Sequence, residues 1–193
     1  MPEPTKNLPG VSVRDARPQD LSAVRGLVLT SVREDHGLDY NPIWHADLDR
    51  AEDCYLRDPR AALLVAEAGE GIIGCGGVRP FRRRGPEPVQ RRYGLREDVG
   101  ELVRVAVLPR FRQNGLARQV CARLVNGADH LGYGVLTLHT PAVTPRSAVP
   151  FWRALGAVQI HDDRQDGLVD PAVASIYFEI DVAVAKRQLT AGR

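Results

Sequence analysis

Apolar residues recur along this chain in two rhythms. Leu21, Val24, Leu27 and Val28 fall at helical spacing behind Pro18, which suits a first helical turn, so a helix is expected over 18–32. Trp44, Leu48, Ala51 and Tyr55 form a second stripe and predict a helix over 44–57. Leu116, Val120, Leu124 and Ala128, backed by Cys121 and Val125, predict a helix over 116–130 that stops at Gly132 and Gly134. A short helix over 147–155 is closed by Gly156. Runs of strand length lie between these, at 11–14, 62–67, 72–78, 101–107, 135–139, 157–161 and 174–180. Gly69 to Gly71 makes a tight turn that joins 62–67 and 72–78 into a hairpin. The order is β-α-α-β-β-β-α-β-α-β-β. Antiparallel hairpins come first, followed by a strand–helix–strand unit that should pair in parallel. This is a mixed α/β layout, one sheet covered by helices on both faces.

Residues 1–10 read as a disordered lead with three prolines, residues 11–182 as one domain, and 183–193 as a tail that frays from Lys186 onward. The arginine-rich stretch 82–98 holds two prolines and two glycines without sustained periodicity, and reads as a long exposed loop. A length of 193 residues suits one domain. With 44% hydrophobic and 26% charged residues, collagen, coiled coil and wholesale disorder are excluded. A net charge of +2 argues against a nucleic-acid partner. Cys54, Cys75 and Cys121 stand far apart with no CxxC pair, which argues against a zinc or redox motif and suits reduced thiols in a cytoplasm. No apolar run approaches the roughly 20 residues of a membrane span. The polar start lacks the apolar core of a signal peptide.

The chemistry concentrates in Glu101-Leu-Val-Arg-Val-Ala-Val-Leu-Pro-Arg-Phe-Arg-Gln-Asn-Gly-Leu-Ala117. A strand ends at Leu108-Pro109, a basic turn follows, and a helix opens at Gly115 or Leu116. Unbonded N–H groups and the dipole at a helix start attract anions. Gly115 has no side chain to block a phosphate, and Ala117 keeps the first turn slim. Arg110, Arg112 and Arg118 add positive charge, so a pyrophosphate suits the site. Neither a Walker loop nor GxGxxG is present. Read alone, the turn is equally a plain strand-to-helix connection with solvated arginines.

In its context the segment resembles the GNAT superfamily of N-acetyltransferases. Arg112, Gly115 and Ala117 match that family's signature of Arg or Gln, two residues, Gly, one residue, Gly or Ala. The strand Glu-Leu-Val-Arg-Val-Ala-Val before it resembles the family's core strand. Ala148-Val-Pro-Phe-Trp-Arg-Ala-Leu-Gly156 resembles its A-x-x-F-Y-x-x-x-G helix. The resemblance covers about residues 11–182. It implies a single GNAT domain with a mixed, mostly antiparallel sheet whose central strands, here 101–107 and 135–139, splay into a notch. It implies acetyl-CoA as co-substrate and no metal. Pantetheine would pair with Val105, Ala106 and Val107, and the pyrophosphate would sit on Arg112, Gln113, Asn114, Gly115, Leu116 and Ala117. An amine, from a small molecule or a protein, would attack the thioester directly. Family members often dimerise, so a homodimer is a further implication. A GNAT-like module that binds acyl-CoA without turnover is the alternative; a phosphate-binding enzyme of another class ranks below both.

An ammonium must lose a proton before it attacks, and a carboxylate in a partly apolar groove can take it. Glu101 is the candidate: it precedes an apolar strand, shares a face with Val103, Val105 and Val107 on strict alternation, and matches a position where many family members keep glutamate. The alternative is a strand-edge glutamate facing solvent beside Gly100. The Val105 amide is a candidate oxyanion donor. Where the family often has a tyrosine as acid, this chain has Trp152, whose indole does not give up a proton near neutrality, so it reads as packing. Water, Ser147 or His139 would replace the acid, with Tyr133 less suited. His36, Tyr40, Trp44 and His45 crowd a region that walls the acceptor pocket in that family, with Trp44 read as packing. Residues 82–92 would attract an acidic acceptor or the coenzyme's 3′-phosphate, or form a solvated loop. His161, Asp162, Asp163 and Asp166 lie in a turn without fixed metal geometry.

Overall fold

The strand-length runs become seven strands of one sheet; numbered in chain order, they lie first, second, third, fourth, fifth, seventh, sixth. The structure is a computed structural model and describes residues 10–82, 85–144, 147–165, 167, 169–170 and 173–191. The chain divides into two compact units, Met1–Arg79 with Val103–Leu124 and Pro80–Leu102 with Val125–Arg193.

In the first unit, β1 (Ser12–Asp15) pairs antiparallel with β2 (Ala62–Ala68), from Ser12↔Glu67 to Asp15↔Leu64. β2 and β3 (Gly71–Pro80) form the expected hairpin, with an irregular step at Ala66/Glu67. α1 (Leu21–His36) follows a 3-10 turn at Pro18–Asp20 and ends where Gly37 turns left-handed. Its Val24, Leu27 and Val28 pack with Leu48, Ala51, Cys54, Tyr55, Leu63, Val65, Cys75 and Ala106. The helix expected over 44–57 is broken into α2 (Ala46–Asp49) and a π turn at Glu52–Leu56. His45 and Arg50, which flank α2, leave helical geometry. Leu48, Ala51 and Tyr55 of the predicted stripe are buried, but Trp44 precedes α2 and is 49% exposed, so its expected packing role is not observed.

In the second unit, the start of β4 (Val99–Val107) pairs in parallel with β5 (Val135–Pro141), as expected of the strand–helix–strand unit. The connecting helix is α4 (Leu116–Ala128). The β4–β5 ladder runs from Val99↔Val135 to Glu101↔Thr137, although β5 continues to Pro141 and keeps pairing with β7 (Ser175–Asp181). β6 (Val158–Asp162) pairs antiparallel with β7, and α5 (Val149–Ala154) precedes it. The segments expected as an exposed loop and as a fraying tail both hold helices. Within 82–98 lies α3 (Glu87–Tyr93), whose Val89 and Tyr93 are buried with Val99. One i,i+4 pair of apolar residues is enough to dock a short helix but too little to show as periodicity. The expected tail is α6 (Val182–Ala191), held by buried Ala185 and Leu189.

Gly100 sits where β4 meets β5, and a Cβ there would come within 2.9 Å of both Leu136 and the Tyr133 ring. Tyr133, 1% exposed, cannot swing out. Gly100→Ala is therefore expected to cost about 1–3 kcal/mol of stability, the usual cost of overpacking. Chemical denaturation checks this; an unchanged midpoint would show that Tyr133 repacks freely.

Candidate active site

After β4, a 3-10 turn at Pro109–Phe111 delivers the chain to a connection with two left-handed residues, Gln113 (φ 62°) and Gly115 (φ 76°), and α4 begins at Leu116. The first N–H groups of that 13-residue helix have no partner within it, and a turn with two positive-φ residues just before them can aim backbone amides at one anion. Arg112 is the staple of this turn. Its Nε donates to the Val107 carbonyl at 2.8 Å, and its two terminal nitrogens donate to Asp35 on α1 at 2.6 and 2.7 Å. Burial alone would raise the Asp35 carboxyl, but hydrogen bonds from Arg112 and Ser31 outweigh it and hold it below its ordinary value. Asn114 Nδ2 closes the turn onto the Arg112 carbonyl at 3.1 Å. Arg110 pairs with Glu70 at the surface. The guanidiniums of Arg110 and Arg112 thus face carboxylates of this chain.

Sequence alternation puts Val103, Val105 and Val107 on one strand face; the structure does not. Arg104 lies left-handed at φ 57°, an extra step that shifts the alternation by one. Val103 and Ala106, three residues apart, pack on the same cluster around Val24 and Leu27. Val105 instead lies with Val120 and Leu124 of α4 around Gly76. The Arg104 carbonyl accepts the Cys75 thiol at 3.2 Å, and burial pushes that thiol up to about 12. The Arg104 side chain reaches Asp47: Nε donates to Oδ2 at 2.9 Å, and Nη2 donates to Oδ1 and to the Trp44 carbonyl, both at 2.5 Å. Asp47 also accepts the Tyr55 hydroxyl at 2.5 Å and lies 3.5 Å from Arg79. Burial would raise this carboxyl, yet Arg104 holds it well below the usual carboxylate range. Nothing in the sequence pairs Asp47 with Arg104; the one visible signal is a charged residue inside an apolar strand.

Glu101 lies in the second unit and is 8% exposed, so it is not the solvent-facing strand-edge residue of the alternative reading. His139 Nδ1 stands 3.9 Å from its Oε1, and the His139 side chain is half exposed. Register places His139 opposite Tyr177, and Tyr177 opposite His161. The His139 and Tyr177 rings are 5.4 Å apart, and His161 Nε2 is 3.3 Å from Asp163. Burial, then the charges of Asp163 and Glu101, raise the Tyr177 hydroxyl above its ordinary value. A buried carboxylate beside a half-exposed imidazole can take a proton and hand it outward. Tyr177 was not singled out by the sequence, where it is one more residue of an alternating strand. Trp152 is buried edge-on against Phe151, and Tyr133 is buried under Gly100, so both pack. Ser147 accepts the Val149 amide at 3.2 Å.

The aromatic link before α2 is also tied down. Tyr40 donates to Asp49 at 2.5 Å and stacks on His45, with Arg25 over its ring. His45 accepts the Asn41 amide at 2.9 Å and is buried; burial, then Arg104, lowers its pKa. Burial likewise lowers His36. No group of three or more metal-ligating side chains occurs among the described residues; Asp166 lies outside them. Also among the described residues, no helix is long and apolar enough to cross a membrane. Cys54, Cys75 and Cys121 are buried and form no disulfide.

Comparison with solved structures returns this fold. An acetyltransferase of the GNAT family from Staphylococcus aureus Mu50 superposes with a TM-score of 0.69 at 12% identity, over 89% of this chain and 99% of that one. YncA from Salmonella typhimurium, solved with its cofactor acetyl-CoA, gives 0.65 at 16% identity, over 90% and 94%. Ribosomal-protein-alanine N-acetyltransferase from Brucella melitensis gives 0.64 at 20% identity, over 88% and 99%. No curated protein matches the chain by sequence. The family model described as "Acetyltransferase (GNAT) family" matches residues 29–157, which span the β4 strand, the 112–117 turn and α4, and the chain therefore belongs to the acetyltransferase (GNAT) family.

Proposed function

We propose that this acetyltransferase moves the acetyl group of acetyl-CoA to a primary amine by direct attack within a ternary complex. The observation that carries this reading is the turn into α4, left-handed at Gln113 and Gly115 and stapled by Arg112. Amides from Gln113 to Ala117 receive the coenzyme's diphosphate, while Arg112 fixes the turn rather than facing the phosphates. Pantetheine lies along Val105, Ala106 and Val107, a role supported by the β4–β5 ladder stopping at Glu101. Glu101 takes the proton of the incoming ammonium. Main-chain N–H groups of β4, Val105 first among them, stabilise the developing oxyanion. No metal takes part in this scheme.

Trp152 gives no acid, and the thiolate of CoA departs with a proton from water or from His139. The acceptor is an amine of a small molecule or of a protein. Three cysteines outside any disulfide fit a reducing cytoplasm, and a homodimer is the assembly expected. Incubation with acetyl-CoA and a panel of polyamines, amino acids and peptides tests the reading through thiol release. Amine-dependent release is expected; tight CoA binding without release for any amine would return the chain to the non-catalytic alternative.

A further inference from the structure

A left-handed residue in mid-strand is costly for any side chain with a Cβ, and glycine is the usual occupant. This chain places arginine there, at φ 57°. The side chain that makes the position expensive is also what holds it. Three hydrogen bonds tie the Arg104 guanidinium to Asp47 and to the Trp44 carbonyl, and the Arg104 carbonyl accepts the Cys75 thiol. Asp47 is fixed in turn by the Tyr55 hydroxyl and by Arg79, and its side chain is 6% exposed. The clamp is therefore rigid at both ends.

Its consequence lies just downstream. The step at Arg104 turns Val105 toward Val120 and Leu124 and returns Ala106 to the cluster that holds Val103. The path of the main chain through Val105 and Ala106 follows from that step. We infer that Asp47 is a positioning residue for the coenzyme: by holding Arg104 left-handed it orients the Val105–Val107 backbone. This rests on the reading of that segment as the strand that binds acetyl-CoA.

The test compares two double variants that both remove the Asp47–Arg104 ion pair and alter the surroundings of the buried Arg79 alike. Asp47→Asn with Arg104→Gly keeps a residue at ease in the left-handed region; Asp47→Asn with Arg104→Ala does not. CoA affinity is measured by calorimetry beside kcat and KM for acetyl-CoA, with the wild type and the single Asp47→Asn variant as references. Melting curves confirm that each variant is folded at the assay temperature. The Asp47→Asn variant is expected to lose CoA affinity by about 10-fold or more. The glycine double should recover to within about 3-fold of wild type, and the alanine double should stay at least about 10-fold weaker, with the loss in KM exceeding that in kcat. A purely structural clamp would weaken the two doubles alike, and that result overturns the assignment, as does full affinity in Asp47→Asn. Failure of the wild type itself to bind CoA overturns the coenzyme reading on which the assignment rests.

Discussion

Gly115→Val is expected to weaken CoA binding about 100-fold. Gly115 holds φ 76°, a conformation in which a β-branched residue is strained by about 1–2 kcal/mol. The chain relieves that strain by rotating the turn, which swings amides away from the diphosphate. Hydrogen bonds to charged groups contribute about 1.5–3 kcal/mol each, so losing one or two is enough for a change of that size. The fold should persist, because residue 115 precedes α4 and the buried stripe of Leu116, Val120 and Leu124 is untouched. Calorimetry with CoA and a thermal melt check both halves; unchanged affinity would remove the turn as the diphosphate site.

Glu101→Gln is expected to lower kcat about 100-fold near neutral pH, with the KM for acetyl-CoA within a few-fold of wild type. Removing a general base typically costs 10²–10⁴-fold, and glutamine keeps the size of the side chain. The sign of the pH dependence follows from the acceptor. At low pH the amine is almost wholly ammonium and needs the base most. As pH rises toward about 10, where an alkyl ammonium such as that of lysine ionises, the amine arrives deprotonated and the defect should shrink. A pH–rate profile of both proteins checks this, and a defect that stays constant across the range would take Glu101 out of the proton path.

What the sequence revealed of this site follows from how local each feature is. The helix after the turn is legible because Leu116, Val120, Leu124 and Ala128 recur every fourth residue, and all four are buried. The turn itself was legible because arginine, glycine and alanine at fixed spacing follow a strand. The staple was not: Asp35 is 77 residues from Arg112 and Asp47 is 57 from Arg104, and no local pattern links such partners. The expectation that Val103, Val105 and Val107 share a face failed for the same reason. Alternation assumes an unbroken strand, and Arg104 breaks it through a contact made elsewhere in the fold. Helix α3 escaped because its buried face amounts to Val89 and Tyr93, set among arginines that suggest solvent. The C-terminal helix reads as a tail from sequence, though Ala185 and Leu189 carry the i,i+4 spacing that docks it.

A crystal structure of the protein with CoA would show where the diphosphate sits. Its oxygens are expected within hydrogen-bonding distance of the amides from Gln113 to Ala117, with the pantetheine arm paired to Val105–Val107. A well-ordered CoA bound elsewhere on the protein, with that turn making no contact to phosphate, would contradict this placement.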